Sequence, residues 1–139
     1  MRNADRTPST RRSRAFEQLA ERAVRLVGRM KDPNIRVFFM PNNELKKMKK
    51  VWLGKSVDFV DVLSFPFPAG FPHPDVSGTY LGEIYLNKVF EGQKRKEEGR
   101  YMLIHGTLHL LGFSHTGKHD TMDMERLENS VLRRLARGE

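Results

Sequence analysis

Cysteine is absent from the 139-residue chain. Disulfides, thiolate metal sites and cysteine nucleophiles are excluded with it. A reducing cytoplasm suits such a chain but is not required by it. No apolar run approaches the ~20 residues of a membrane-spanning helix. The Arg-rich N-terminus lacks the hydrophobic stretch of a secretory signal. Acidic residues are the minority charge, with 17 Asp and Glu against 25 Lys and Arg, a formal net charge of +8. That excess points to a polyanionic partner, usually nucleic acid, or to a basic surface that only aids solubility. With 38% hydrophobic and 30% charged residues, the composition is that of a globular protein. The length fits one domain.

Residues 1 to about 13 hold Arg2, Arg6, Arg11 and Arg12 among small polar residues, and read as a flexible basic tail. From Arg14, the positions Phe16, Leu19, Ala20, Ala23, Val24 and Val27 recur at helical spacing, and Gly28 ends the run. Asp32-Pro33-Asn34 reads as a turn. Ile35, Val37, Phe38 and Phe39 form an expected core strand. After Pro41 an asparagine is the expected cap of a short helix over Glu44–Val51, with Leu45 and Met48 inward. A second strand runs from Val60 to Pro66. The stretch from Pro66 to Ser77 holds four prolines and is expected to be loop. A third strand covers Tyr80–Leu86. The charged stretch Glu91–Arg100 is helical in part. An apolar helix follows over Tyr101–Leu111, and a terminal amphipathic helix over Asp123–Ala136. The expectation is one small domain over residues 14–139 of the α/β (α+β) class. A central sheet of three or four strands would be packed by helices.

Chemistry concentrates in the segment from Ile104 to His115. Three of the five histidines, His105, His109 and His115, fall within eleven residues in the form H-x-x-x-H-x-x-G-x-x-H. His105 and His109 are one helical turn apart on one face. Imidazoles so placed can converge on an ion ~2.0–2.1 Å from each nitrogen. On a continued helix His115 would lie ~15 Å from His105 along the axis, out of reach of a shared ion. The helix must therefore end between them. Gly112 suits that end, because glycine takes the left-handed conformation without a Cβ penalty. The metal site is thus expected on a helix and the turn after it. His73 and His119 lack such spacing and read as surface loop residues. The spacing resembles the zinc motif of metzincin peptidases, H-E-x-x-H-x-x-G-x-x-H. Gly106 stands where that motif has its glutamate base, and glycine cannot take a proton.

The segment His105-Gly106-Thr107-Leu108-His109-Leu110-Leu111-Gly112-Phe113-Ser114-His115 also resembles the hallmark H-G-x-L-H-L-x-G-[YF]-D-H of YbeY, the bacterial rRNA-maturation endoribonucleases. Val60-Asp61-Val62-Leu63-Ser64-Phe65-Pro66 resembles a second family block, T-D-V-L-S-F-P. Gly82-Glu83-Ile84 resembles a third. The blocks come in the family's order, and the likeness spans roughly residues 15 to 135. The resemblance implies a helix-covered sheet and one zinc ion on His105, His109 and His115. It further implies cleavage of single-stranded RNA in ribosome maturation, with RNA and the ribosome as partners, in a bacterial cytoplasm. Two positions depart from the family pattern. Ser114 replaces an aspartate beside the third histidine, and Leu53 stands where an arginine often precedes Gly54-Lys55. Lys49, Lys50 and Lys55 remain as point charges for the RNA backbone.

Ser64 and Asp61 sit on the expected second strand. They either bond locally or reach the cleft beside the metal with a catalytic role. Three neutral imidazoles suit zinc, and also nickel, cobalt or iron. Two other readings stand beside the metal-dependent endoribonuclease. One is a non-catalytic RNA-binding assembly factor with a structural metal. The other is a metalloprotease, against which Gly106 argues.

Overall fold

A computed structural model describes residues 10–28, 32–67, 79–113 and 118–138, with the backbone alone for 118–122. Helix α1 runs over Arg11–Val27. It begins three residues before the expected start, inside the stretch read as tail. The cause is Thr10, whose hydroxyl accepts from the Ser13 N–H at 3.1 Å and caps the first turn. Residues 1–9 of the expected tail lie outside the described residues. Phe16, Ala20, Ala23 and Val24 face inward, and Gly28 closes the helix at φ 80°.

Strand β1 covers Pro33–Met40. Of the expected turn at Asp32–Asn34, Asp32 is a bend and Pro33 and Asn34 are already strand. Pro33 is tolerated there because it opens an edge strand, where a missing N–H costs nothing. The Thr79 N–H bonds Asp32 O at 2.9 Å and starts the ladder. Strands β2 (Val62–Pro66) and β3 (Thr79–Asn87) complete a three-stranded sheet of order β1-β3-β2. The central strand β3 is parallel to β1, with Val37 opposite Ile84, and antiparallel to β2, with Leu63 opposite Tyr85. The expected loop between β2 and β3 falls mostly outside the described residues.

Helix α2 spans Asn42–Leu53, two residues beyond its expected end, and stops at Gly54 with φ 69°. The expected asparagine cap is not formed, since Pro41 holds the cap position. The Asn42 side chain works elsewhere. Its Nδ2 donates to Asp58 O at 2.9 Å, and its Oδ1 accepts from the Val60 N–H at 3.0 Å. It thus ties the return chain to the start of α2.

Helix α3 runs over Lys96–Leu110, and α4 over Lys118–Ala136. Helix α3 takes in the last five residues of the stretch expected to be helical in part, and α4 begins five residues before its expected start. Gly99 is accommodated in α3 because a Cβ there would lie 3.0 Å from Phe90 Cβ. Alternation along the strands divides the core. Ile35, Val37, Ile84 and Leu86 meet α1 and α3 on one face. Phe38, Leu63 and Tyr85 meet Leu45 of α2 on the other. Helix α4 packs outside α1 and α3 through Met124, Val131 and Leu135. The C-terminal half of α3, sandwiched between sheet and α4, buries Leu103, Ile104, Leu108 and Leu110 for that reason, while its first turns stay charged. The result is one small α+β domain, as expected, with three strands.

The outer edge of β1 is covered by α1 rather than by another strand. Glu17, 5% exposed, accepts the Val37 N–H at 3.0 Å. Glu21, one turn on, lies beside Ile35 of the same strand. Burial raises the Glu21 carboxyl above its usual value, against the opposing pull of Arg25. A buried carboxylate thus satisfies a donor on an open edge. Glu17→Ala is expected to destabilise the fold by ~1–3 kcal/mol, the cost of a buried donor left unpaired. Urea unfolding checks this, and an unchanged midpoint would refute it.

Candidate metal centre

The site is built on the last two turns of α3. His105 and His109 lie one turn apart, both half-buried, with their Nε2 atoms 3.1 Å apart. Nitrogens held ~2.0–2.1 Å from one tetrahedral ion lie about 3.3–3.4 Å apart, so this pair is spaced to share one. The opposite nitrogen of His105, Nδ1, bonds the carboxylate of Glu128 on α4. A carboxylate only accepts, so Nδ1 carries the hydrogen and Nε2 keeps its lone pair, directed at His109. Glu128 is 1% exposed and also accepts the Tyr101 hydroxyl at 2.9 Å. Burial, and then the hydrogen bond to Glu128, push the Tyr101 hydroxyl up to about 12, so it remains a donor at neutral pH. Its ring stacks on His105, with centroids 6.4 Å apart.

Helix α3 ends as the glycine requires. Gly112 takes φ 98°. Its N–H bonds His109 O at 3.0 Å, and the Phe113 N–H bonds Leu108 O at 3.0 Å. That pair of bonds is the Schellman closure of a helix on a left-handed residue. The helix thus closes at Gly112, three residues before the third histidine. His115 itself, with Ser114 and His73, lies outside the described residues, as does the side chain of His119. Among the described residues, no group of three His, Asp or Glu is placed to hold a metal. Two of the three expected ligands are therefore in view. Their donor set fits a divalent ion: two converging imidazole nitrogens, one backed by a buried carboxylate.

Ser64 and Asp61 separate in role. The Ser64 hydroxyl donates to Gly106 O at 3.0 Å, and so pins β2 to α3 beside His105. Asp61 is exposed, and its carboxylate accepts the adjacent Val62 N–H at 2.8 Å. Lys49 and Lys50 lie on the last turns of α2, and Lys55 just beyond Gly54. Around them Val51, Trp52, Leu53 and Phe59 are exposed.

Glu128 and Tyr101 were not singled out from the sequence. One signal for Glu128 was present. It sits on the apolar stripe of α4, four residues after Met124 and three before Val131, where an unpartnered carboxylate would be costly. Glu128→Gln retains volume but loses charge. It is expected to lower metal affinity ~10–100-fold, the usual cost of removing a carboxylate behind a ligating histidine. Competition with a chelator measures this, and an unchanged affinity would exclude Glu128 from the centre.

Comparison with known proteins identifies the family. The family model described as Endoribonuclease YbeY matches residues 1–136. A protein of Chelativorans sp. named Endoribonuclease YbeY is 30% identical over 132 residues, which cover 87% of this chain and 80% of the relative. A namesake from Chromohalobacter salexigens is 31% identical, over 76% of this chain and 70% of its own length. One from Bartonella bacilliformis is 33% identical, over 73% and 68%. The match runs from end to end through the histidine helix, and the chain belongs to the YbeY family of endoribonucleases.

Proposed function

We propose that this chain is a metal-dependent endoribonuclease that cuts single-stranded RNA in rRNA maturation. The observation that carries the reading is the convergence of His105 and His109 Nε2, with Glu128 fixing the His105 tautomer. Membership of a family whose relatives are named endoribonucleases supports the reaction class. His105, His109 and His115 would hold the ion, with zinc the best fit to an all-imidazole set. A bound divalent ion would supply positive charge to a phosphoryl oxygen of the RNA.

The remaining work falls to the chain's own groups. Glu128 and Tyr101 orient His105. Ser64 holds the backbone at Gly106 and so fixes the height of the histidine turn over the sheet. Lys49, Lys50 and Lys55 would bind backbone phosphates as point charges, in place of the arginine whose position Leu53 fills. Affinity that falls with rising salt is expected from such contacts. No helix among the described residues is long and apolar enough to cross a membrane. We place the protein in a bacterial cytoplasm, acting on ribosomal RNA.

The test is cleavage of a labelled single-stranded RNA by protein purified without a His-tag, before and after chelation. Loss of cutting on chelation and its return with zinc are expected. Cutting that persists without metal would refute the reading. The product ends identify the attacking group. A 2′,3′-cyclic phosphate assigns the RNA 2′-hydroxyl, and a 5′-phosphate with a free 3′-hydroxyl assigns water.

A further inference from the structure

A cleft of about 620 Å³ opens between α1 and the first turns of α3, and neither His105 nor His109 lines it. Arg11, Arg12 and Arg22 line it from α1, and Lys96 and Arg100 from α3. Glu91 is the one carboxylate in the lining. Among the described residues, Arg11, Arg12, Lys96 and Arg100 form no ion pair. The floor is apolar, made by Ala15, Phe16 and Leu19.

Five cations around one concavity repel one another more than they would on a convex surface. The placement on α1 adds to the repulsion. The helix opens with Arg11, Arg12 and Arg14 and has no acidic residue in its first turn. A helix N-terminus already carries about half a positive charge. The arrangement is complementary to a polyanion. Guanidinium groups match phosphate oxygens in bidentate fashion. A small inorganic anion would leave the apolar floor uncovered, whereas a single strand of nucleic acid places a base or ribose there and its phosphates on the walls.

We propose that this cleft is a second RNA-binding site, which grips the backbone of single-stranded RNA outside the catalytic centre. The inference rests on the reading of the chain as an RNA-acting protein. Position along α3 supports the separation. Arg100 precedes His105 by five residues, a rise of ~7.5 Å and a turn of about 140° around the axis. The cleft and the histidines therefore occupy different faces of one rigid helix. A strand held in the cleft is kept close to the metal centre without filling it.

The test uses the full chain and a fluorescent single-stranded RNA of about 12 nucleotides, within the ~4–16 of single-strand sites. Anisotropy is measured against salt for wild type and for the triple variant Arg12→Gln, Lys96→Gln, Arg100→Gln. A control removes three charges elsewhere, by Lys88→Gln, Arg126→Gln and Arg133→Gln. The cleft variant is expected to bind at least ~10-fold more weakly, with a log–log salt slope shallower by about 2, at ~0.7 per lost phosphate contact. Its Tm is expected at or above that of wild type, since like charges have left, so weak binding is not loss of fold. A cleft variant with the slope and Kd of the control would overturn the proposal. An equal loss of binding to polyglutamate would also overturn it, by assigning the cleft to acidic peptides. Wild type that binds through the cleft but never cuts would sink the nuclease reading and leave the second site standing.

Discussion

Replacing His109 with alanine is expected to strip the metal from the protein and abolish RNA cleavage while the fold survives. The imidazole is half-buried on the last turn of α3, and its Nε2 faces that of His105 at 3.1 Å. Alanine is the better helix former, so the helix loses nothing in backbone preference. The stability change should stay within about 1 kcal/mol, apart from whatever the bound ion itself contributed. Metal affinity should fall well beyond 100-fold. Loss of a mere hydrogen-bonding partner behind a ligand already costs ~10–100-fold, and here a ligand goes. Metal content per chain, measured in parallel with thermal unfolding, checks both halves. A mutant that keeps one tightly held ion would displace His109 from the centre. Wild type with no stoichiometric ion, even after purification in added zinc, would remove the centre altogether.

The second large effect concerns the residue next door. Gly106→Glu restores on paper the peptidase motif that this segment resembles. The expected product is an insoluble chain, not a peptidase. Gly106 is buried, and a Cβ there would lie 2.9 Å from Ser64 Oγ, 3.1 Å from Val62 Cγ2 and 3.3 Å from Ile84 Cγ2. The residue after His105 points into the sheet, so a glutamate would drive its charge among Val62 and Ile84, beside only the Ser64 hydroxyl, which already bonds Gly106 O. Overpacking and an uncompensated buried charge together should cost more than about 4 kcal/mol. The smaller Gly106→Ala separates these terms. Overpacking of ~1–3 kcal/mol is partly offset by ~1 kcal/mol of helix propensity. Ser64→Ala in the same chain removes the nearest clashing atom and should recover part of the loss. A double-mutant cycle in urea reads that coupling. A soluble Gly106→Glu protein with wild-type Tm would show that α3 does not pack against the sheet as described. The same contacts weaken the peptidase alternative, since no glutamate can occupy the position of the general base.

Much of the histidine helix was legible because its logic is local. A spacing of four residues sets His105 and His109 on one face whatever the rest of the chain does. A glycine three residues on is where such a helix can end, and Gly112 ends it with φ 98°. Gly28 was legible for the same reason. Inward Leu45 followed from helical spacing, and buried Val37 from its place in a short apolar run. Helix starts were read less well. Thr10 caps a helix whose first turn looks like a basic tail, and Asn42 declines a cap position to bond a chain segment sixteen residues away.

The residue order by itself determined the family, the α+β class and two aligned imidazoles, because each depends on short spacing or on motifs kept in sequence. Only the tertiary structure decided which side chains hold those imidazoles in place. Glu128 stands twenty-three residues from His105, and it serves the site because α4 lies across α3 at that height. Tyr101 matters because it shares the same carboxylate. Glu17 satisfies a strand donor twenty residues away for a like reason. A buried carboxylate on an apolar stripe announces that it needs a partner. Which partner it finds is a property of how the helices and sheet pack, and helical periodicity carries no record of that.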